Sequence, residues 1–82
     1  GILVNAIAPG PIMTPGSMAL AEALHDRGEP LEELTEEFMK RLPVPRLGEA
    51  DDVAKVALFL VSAAADYMSG SLVLVDGGYL LS

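Results

Sequence analysis

The sequence predicts an α/β fold built on a parallel sheet. Two apolar runs, residues 2–8 and Leu72–Val75, have the character of strands covered on both faces. A strongly apolar helical pattern lies between them, and a helix joining two such strands implies a right-handed crossover. Each run ends in a turn rich in proline or glycine, Pro9-Gly10-Pro11 or Asp76-Gly77-Gly78.

Residues 2–8 are apolar at alternate positions on both faces, with Asn5 as the one polar interruption. A strand of this kind needs cover on both faces and both edges. Pro9 then stops it, because proline cannot donate to a sheet ladder. Thr14 has the chemistry of a helix N-cap, with Pro15 at the favoured first helical position. Met18, Leu20, Ala21 and Leu24 form a short helix that stops at Gly28.

Pro30 opens a second helix. Leu31, Leu34, Phe38, Met39 and Leu42 share one face at helical spacing. Glu32, Glu33, Glu36 and Glu37 lie toward its start and Lys40 and Arg41 at its end, an order that complements the helix dipole. Pro43 and Pro45 terminate it. Arg46-Leu47-Gly48 reads as a turn. Glu49, Asp51 and Asp52 start a third helix, whose apolar face is Val53, Val56, Ala57, Leu60 and Val61, widened by Leu58 and Phe59. Ser69-Gly70 is a turn before the last strand, and Tyr79-Leu80-Leu81 is an apolar tail.

With 82 residues the chain is one domain or part of one. A chain of this size buries only about 60% of its unfolded surface. Yet 51% of its residues are hydrophobic and 21% charged. That balance implies apolar faces that need partners beyond this chain. The first residue is Gly1, so the sequence is expected to start after processing, cleavage or truncation. No basic leader precedes an apolar segment, and the apolar run at residues 56–65 is far shorter than the ~18 residues that span a bilayer. The expectation is a soluble, cytoplasmic chain with no membrane partner. There are no cysteines, which excludes disulfides and thiolate metal sites. The net charge is −7, and ten of the twelve acids fall between Glu22 and Asp52. Such a surface repels phosphate backbones and speaks against nucleic-acid binding.

Chemistry is expected first at Pro9, Gly10, Pro11, Ile12 and Thr14. In open α/β sheets, ligands bind beyond the carboxyl ends of the strands. Gly10 permits close approach to the backbone. The N–H groups of Ile12 and Met13, with the Thr14 hydroxyl, could grip a small amide or phosphate. The same residues also make an ordinary strand-to-helix turn with a threonine cap, and the pattern alone leaves both readings open.

Three longer stretches, GILVNAIAPGPIMTP, RLGEADDVAKVALFLVSAAADYMSG and LVLVDGGYLL, occur in order over nearly the whole chain. Together they resemble the C-terminal segment of a short-chain dehydrogenase/reductase. The resemblance is weakest from Ser17 to Leu42. It implies the last part of a single Rossmann-like, doubly wound parallel sheet over residues 1–82: its final two strands, lid helices and crossover helix. It also implies a hydride transfer between NAD or NADP and a carbonyl or secondary alcohol. By the same resemblance Pro9, Gly10 and Pro11 shape a turn over the nicotinamide end of the cofactor. The Ile12 backbone hydrogen-bonds the carboxamide, and Thr14 contacts the carboxamide or a nearby phosphate. The stretch from Met13 to about Leu42, within a lid of about residues 13–45, closes over substrate. Ala19, Leu20 and Leu24 are candidates to touch that substrate. Homo-oligomer contacts, a tetramer in related enzymes, fall to the C-terminal end, including Tyr79 and the Leu80-Leu81 tail.

The departures from the family pattern matter equally. Such enzymes hold the cofactor pyrophosphate with a glycine-rich loop after their first strand, and Gly77-Gly78 follows the last strand and opens no helix. Their catalysis uses a serine and a Tyr-x-x-x-Lys pair. Here the two lysines, Lys40 and Lys55, stand four residues after Glu36 and Asp51, and Tyr67 is followed at that distance by Ser71. The chain alone is therefore expected to be inactive and to depend on the preceding N-terminal portion of the fold. The alternative is a non-catalytic truncated α/β module acting in protein assembly.

Other candidates have simpler roles. His25, the single histidine, is expected on an exposed helix surface. The glutamates at 32, 33, 36 and 37 make a solvated helix face rather than a cation site. Asp51 and Asp52 serve the start of their helix, and Asp76 caps a turn. Arg46 is expected to pair with a nearby acid in preference to clamping an anion.

Overall fold

The computed structural model describes residues 1–81. Its parallel core is a pair of strands, β1 (Ala6–Pro9) and β4 (Leu72–Val75), in register from Ala6 opposite Leu72 to Pro9 opposite Val75. A second, shorter parallel pair joins β2 (Ile12–Met13) to β3 (Gly48–Glu49). Between them come α1 (Pro15–Asp26) and α2 (Leu31–Arg41), and α3 (Ala50–Leu60) connects β3 to β4. Short 3₁₀ turns stand at Ala63–Ala65 and Tyr79–Leu81. The parallel α/β architecture matches the expected fold class.

The first strand begins later and ends later than residues 2–8. β4 starts at Leu72, so Val4 meets the Ser69-Gly70 turn instead of a strand. There the Gly70 N–H donates to the Val4 carbonyl at 2.7 Å, and the Val4 N–H donates to Ser69 Oγ at 3.3 Å. Pro9 belongs to the strand rather than stopping it. The N–H groups of Ala6 and Gly10 donate to Ser71 and Val75 carbonyls at 2.9 and 3.0 Å. Alternation then turns the nitrogen of Pro9 away from β4, where its missing hydrogen forfeits no ladder bond.

Asn5 interrupts the apolar run for a structural reason. Its Nδ2 donates to the Met68 carbonyl at 3.1 Å, and its Oδ1 accepts from the Ser71 N–H at 3.0 Å. One amide side chain thus satisfies both a carbonyl and an N–H in the bend that leads into β4.

Arg46-Leu47-Gly48 is not simply a turn, since Gly48 enters β3. Its N–H donates to the Pro11 carbonyl at 2.9 Å. A Cβ at residue 48 would stand 2.5 Å from Ile12 Cδ1, so a larger residue there would have to displace the tip of the Ile12 side chain.

α3 packs on β1 and β4 and supplies one cover of the small sheet. Val53, Val56 and Leu60 of its expected apolar face are half-buried, whereas Ala57 and Val61 stay exposed with Leu58 and Phe59. On α2, Leu31, Phe38 and Met39 are half-buried, Leu34 is exposed and Leu42, the C-cap, is 4% exposed. Among the described residues, only Leu42 and Ala65 are buried hydrophobics. Leu72 and Leu74 of β4 are exposed on one face, so the expected two-sided cover of the strands is absent among the described residues. The Cα radius of gyration is 15.8 Å, against about 12 Å for a compact domain of this length. Among the described residues, no helix is long and apolar enough to cross a membrane.

Candidate functional site

The carboxyl ends of β1 and β4 lie side by side, because parallel register brings Pro9 to Val75. Beyond them run Gly10-Pro11-Ile12 from one strand and Asp76-Gly77-Gly78 from the other. The two exits touch: a Cβ built on Gly10 would stand 2.6 Å from Asp76 Cβ and 2.7 Å from its Cα. Glycine at position 10 is needed for this approach and has no alternative side chain that fits.

Two cavities open around that junction. One, of about 340 Å³, has Pro11, Ile12, Val44, Arg46, Asp76 and Gly77 in its lining. The other, of about 280 Å³, is bounded by Pro9, Gly10, Pro11, Phe38, Leu74 and Tyr79. The structure therefore brings Pro9, Gly10, Pro11 and Ile12 together along the two openings. Thr14 stands a step away, at the start of α1.

Thr14 is the N-cap of α1. Its Oγ1 accepts from the Ser17 N–H at 3.1 Å. Ser17 completes the arrangement: its Oγ accepts from the Thr14 N–H at 2.8 Å and lies 3.0 Å from the Ile12 carbonyl, to which it donates. Ser17 was invisible to the sequence reading. The signal that finds it is the spacing Thr-Pro-Gly-Ser, a capping box with serine in place of the usual acid or amide at the third helical position. This knot fixes the peptide of Ile12. The Pro11 carbonyl faces β3, so strand alternation points the Ile12 N–H away from β3.

Arg46 pairs with Asp52 in a two-pronged contact, Nη1 to Oδ2 at 2.9 Å and Nη2 to Oδ1 at 3.1 Å. The Arg46 hydrogen bond, followed by the Glu49 N–H donating at 2.8 Å, holds the Asp52 carboxyl down at about 2. The same hydrogen bond raises the Arg46 pKa. Asp52 thereby caps α3 and anchors the loop that carries β3. Arg46 meets the expectation of an acid partner. Asp51 pairs with Lys55 at 3.1 Å on the exposed side of the same helix.

Asp76 caps its turn as expected. Its Oδ1 accepts from the Gly78 N–H at 3.0 Å and its Oδ2 from the Leu80 N–H at 3.3 Å. His25 is exposed in the last turn of α1, and Leu24 is half-buried while Ala19 and Leu20 are exposed. Tyr79 and Leu80 are exposed, and the side chain of Leu81 lies outside the described residues. Among the described residues, no group of three or more His, Asp or Glu side chains converges to hold a metal ion.

This geometry has close counterparts. A family model described as enoyl-(acyl carrier protein) reductase matches residues 1–80. The chain is 42% identical over 80 residues to 2-dehydro-3-deoxy-D-gluconate 5-dehydrogenase of Bacillus subtilis. It is 39% identical over 79 residues to galactitol 2-dehydrogenase (L-tagatose-forming) of Cereibacter sphaeroides. These alignments cover 98% and 96% of the chain, which spans 28% of the length of each relative. A crystal structure from Agrobacterium tumefaciens with bound NADP superposes on all of the chain and 30% of its own, with a TM-score of 0.75 and 43% identity. A short-chain type dehydrogenase/reductase from Mycobacterium ulcerans covers 96% of the chain and 26% of its own, with a TM-score of 0.76 and 39% identity. The parallel pairing of β1 with β4, the glycine junction at their ends and these matches lead to one assignment: the chain belongs to the short-chain dehydrogenase/reductase family and has the fold of part of its Rossmann-type domain.

Proposed function

We propose that the chain is the C-terminal part of an NAD(P)-dependent oxidoreductase that moves a hydride between the nicotinamide and a carbonyl or secondary alcohol. The observation that carries this reading is the junction at the strand ends. Gly10, between Pro9 and Pro11, is brought against Asp76, with the Ile12 peptide fixed beside it. Ligands of open α/β sheets bind in that position. The bound NADP of the Agrobacterium tumefaciens structure supports a dinucleotide as the ligand class.

The residues fit the carboxamide end of such a cofactor. A carboxamide needs one donor and one acceptor. The Ile12 N–H turns away from β3, and the Ile12 carbonyl keeps one lone pair beyond its bond from Ser17 Oγ. Pro9, Gly10 and Pro11 form the apolar floor beside it. The Thr14 hydroxyl is engaged with Ser17, so its part is to hold the Ile12 peptide and to offer its remaining lone pair to the N–H of an amide. When bound, the nicotinamide supplies the hydride chemistry. The helical arm of residues 13–45 serves as the lid that excludes water, and the exposed apolar tail at Tyr79 and Leu80 supplies contacts in a cytoplasmic homo-oligomer. The catalytic serine, tyrosine and lysine belong to the preceding portion of the fold.

The test begins with the intact mass of the natural polypeptide, followed by NAD(P)H oxidation with a panel of carbonyl substrates. Ile12→Pro removes one N–H and is expected to weaken NAD(P)H binding roughly tenfold by fluorescence titration. A complete natural product of 8.6 kDa that neither binds nor oxidises NAD(P)H refutes the proposal.

A further inference from the structure

The helical arm is fixed at both ends and loose between them. Neither α1 nor α2 has a buried residue. The entrance is held by the Thr14–Ser17 knot and the β2–β3 pairing. At the exit, Leu42 is 4% exposed and is followed by Pro43 and Val44. These two residues rest on the turn after β4. The Val44 N–H donates to the Gly77 carbonyl at 3.0 Å. Pro43 lies over Gly78 so closely that a Cβ there would stand 2.6 Å from Pro43 Cγ and 2.9 Å from Cδ. Gly78 also has φ of +86°, a conformation that side chains other than glycine resist. One helical turn back along α2, the ring of Phe38 meets that of Tyr79, with centroids 5.6 Å apart and planes tilted by 46°.

The same turn reaches the strand exit. Its Asp76 packs against Gly10 and shapes the turn with its own carboxylate. One four-residue segment thus touches the floor of the candidate cofactor site on one side and the end of the arm on the other.

We propose that Asp76-Gly77-Gly78-Tyr79 is a clasp that sets the position of the lid relative to the cofactor floor, with Gly78 and Tyr79 as positioning residues. The proposal rests on the reading of residues 13–45 as a substrate lid. Phe38 and Tyr79 hold the second lid helix by ring contact, and Gly78 admits the proline at which the lid rejoins the fold. Releasing either contact lets the lid swing from its hinge while the strand pairing stays intact.

The test uses the complete polypeptide that carries this chain. Limited trypsin digestion reports lid release through cleavage after Lys40 and Arg41, both exposed, against cleavage after Lys55 on α3 as the internal reference. Tyr79→Ala is expected to speed cleavage at Lys40 and Arg41 roughly threefold to tenfold, with Lys55 unchanged. Tyr79→Phe keeps the ring contact with Phe38 and is expected to stay closer to the parent than Tyr79→Ala. In the enzyme assay, Tyr79→Ala raises the KM for substrate by a larger factor than the dissociation constant for NAD(P)H. Cleavage at Lys40 and Arg41 that stays at the parental rate, or that rises equally at Lys55, overturns the clasp. Should Tyr79→Ala fail to fold, Phe38→Leu removes the same contact from the lid side and is judged by the same two ratios. A parent protein without turnover refutes the oxidoreductase reading and leaves the digestion comparison to decide the clasp.

Discussion

Replacing Asn5 by leucine isolates the amide that joins β1 to the approach of β4. Leucine has the same number and branching of side-chain heavy atoms and matches the apolar neighbours in the strand. It removes two hydrogen bonds, the 3.1 Å donation to the Met68 carbonyl and the 3.0 Å acceptance from the Ser71 N–H. Each is worth about 0.5–1.5 kcal/mol net, and both partners are only partly shielded from water, so the loss totals about 2 kcal/mol. That free energy corresponds to roughly 30-fold faster amide hydrogen exchange at Ser71. Exchange followed by mass spectrometry on peptides spanning residues 68–75 reads this directly, with the α3 amides as reference. Asn5→Asp keeps the acceptor for Ser71 and loses the donor to Met68, so it falls between the parent and the leucine variant. A change at Ser71 below about threefold would show that water replaces the amide at no cost, and the account of Asn5 given above would be wrong.

Further outcomes are expected elsewhere. Gly10→Ala forces its new Cβ against Asp76 and is expected to lower stability by about 1–3 kcal/mol in urea unfolding, whereas Gly16→Ala, with only Thr14 Oγ1 nearby at 3.8 Å, is expected to be neutral or mildly stabilising. Thr14→Ala removes the cap of α1 and should destabilise that helix by about 1 kcal/mol, seen as faster exchange in its first turn, with Thr14→Ser close to the parent. The Asp52 carboxyl is depressed from 3.8 to about 2, so the contribution of its pair with Arg46 is present above the unfolded value and is lost as pH falls from about 4 through 2. An acid titration of stability should therefore flatten across that window in Asp52→Asn, and an unchanged acid limb would contradict the assignment. Lys55→Ala cuts an exposed pair and should shift stability by less than about 0.5 kcal/mol in the same urea assay.

Much of the fold is legible in the residues because local chemistry and tertiary placement agree. Thr14-Pro15 starts α1, Gly28 with φ of +82° ends it, and Asp76 closes its own turn, all through interactions within a few residues. The misjudged elements depend on partners distant in sequence. The first strand starts at Ala6 because β4 begins at Leu72, and the pattern of residues 2–8 contains nothing of that. Gly48 looked like a turn because a two-residue strand has no periodicity to read. Its pairing with Ile12 comes from the loop anchored by Arg46 and Asp52. At the candidate site, the residues of the strand exit were legible from their proline and glycine content and from family resemblance. The contact between Gly10 and Asp76 arises only when two turns from opposite ends of the chain meet, and that of Gly78 with Pro43 only when the last turn reaches the end of α2.

The order of synthesis gives the Asn5 contact a temporal meaning. The partners it joins lie 66 residues apart, and β1 has no other strand beside it in the described structure. At ~5–20 residues per second, a ribosome needs about 3–13 s to make β4 after β1. Throughout that interval the edge of Ala6 to Pro9 that β4 later pairs stays open, the kind of edge that nucleates association between chains. β4 is therefore the moment of closure as well as a strand. Substitutions that delay its docking, those at Asn5 and Gly10 first among them, should reduce the yield of soluble protein at high expression rate more than their equilibrium stabilities alone would predict.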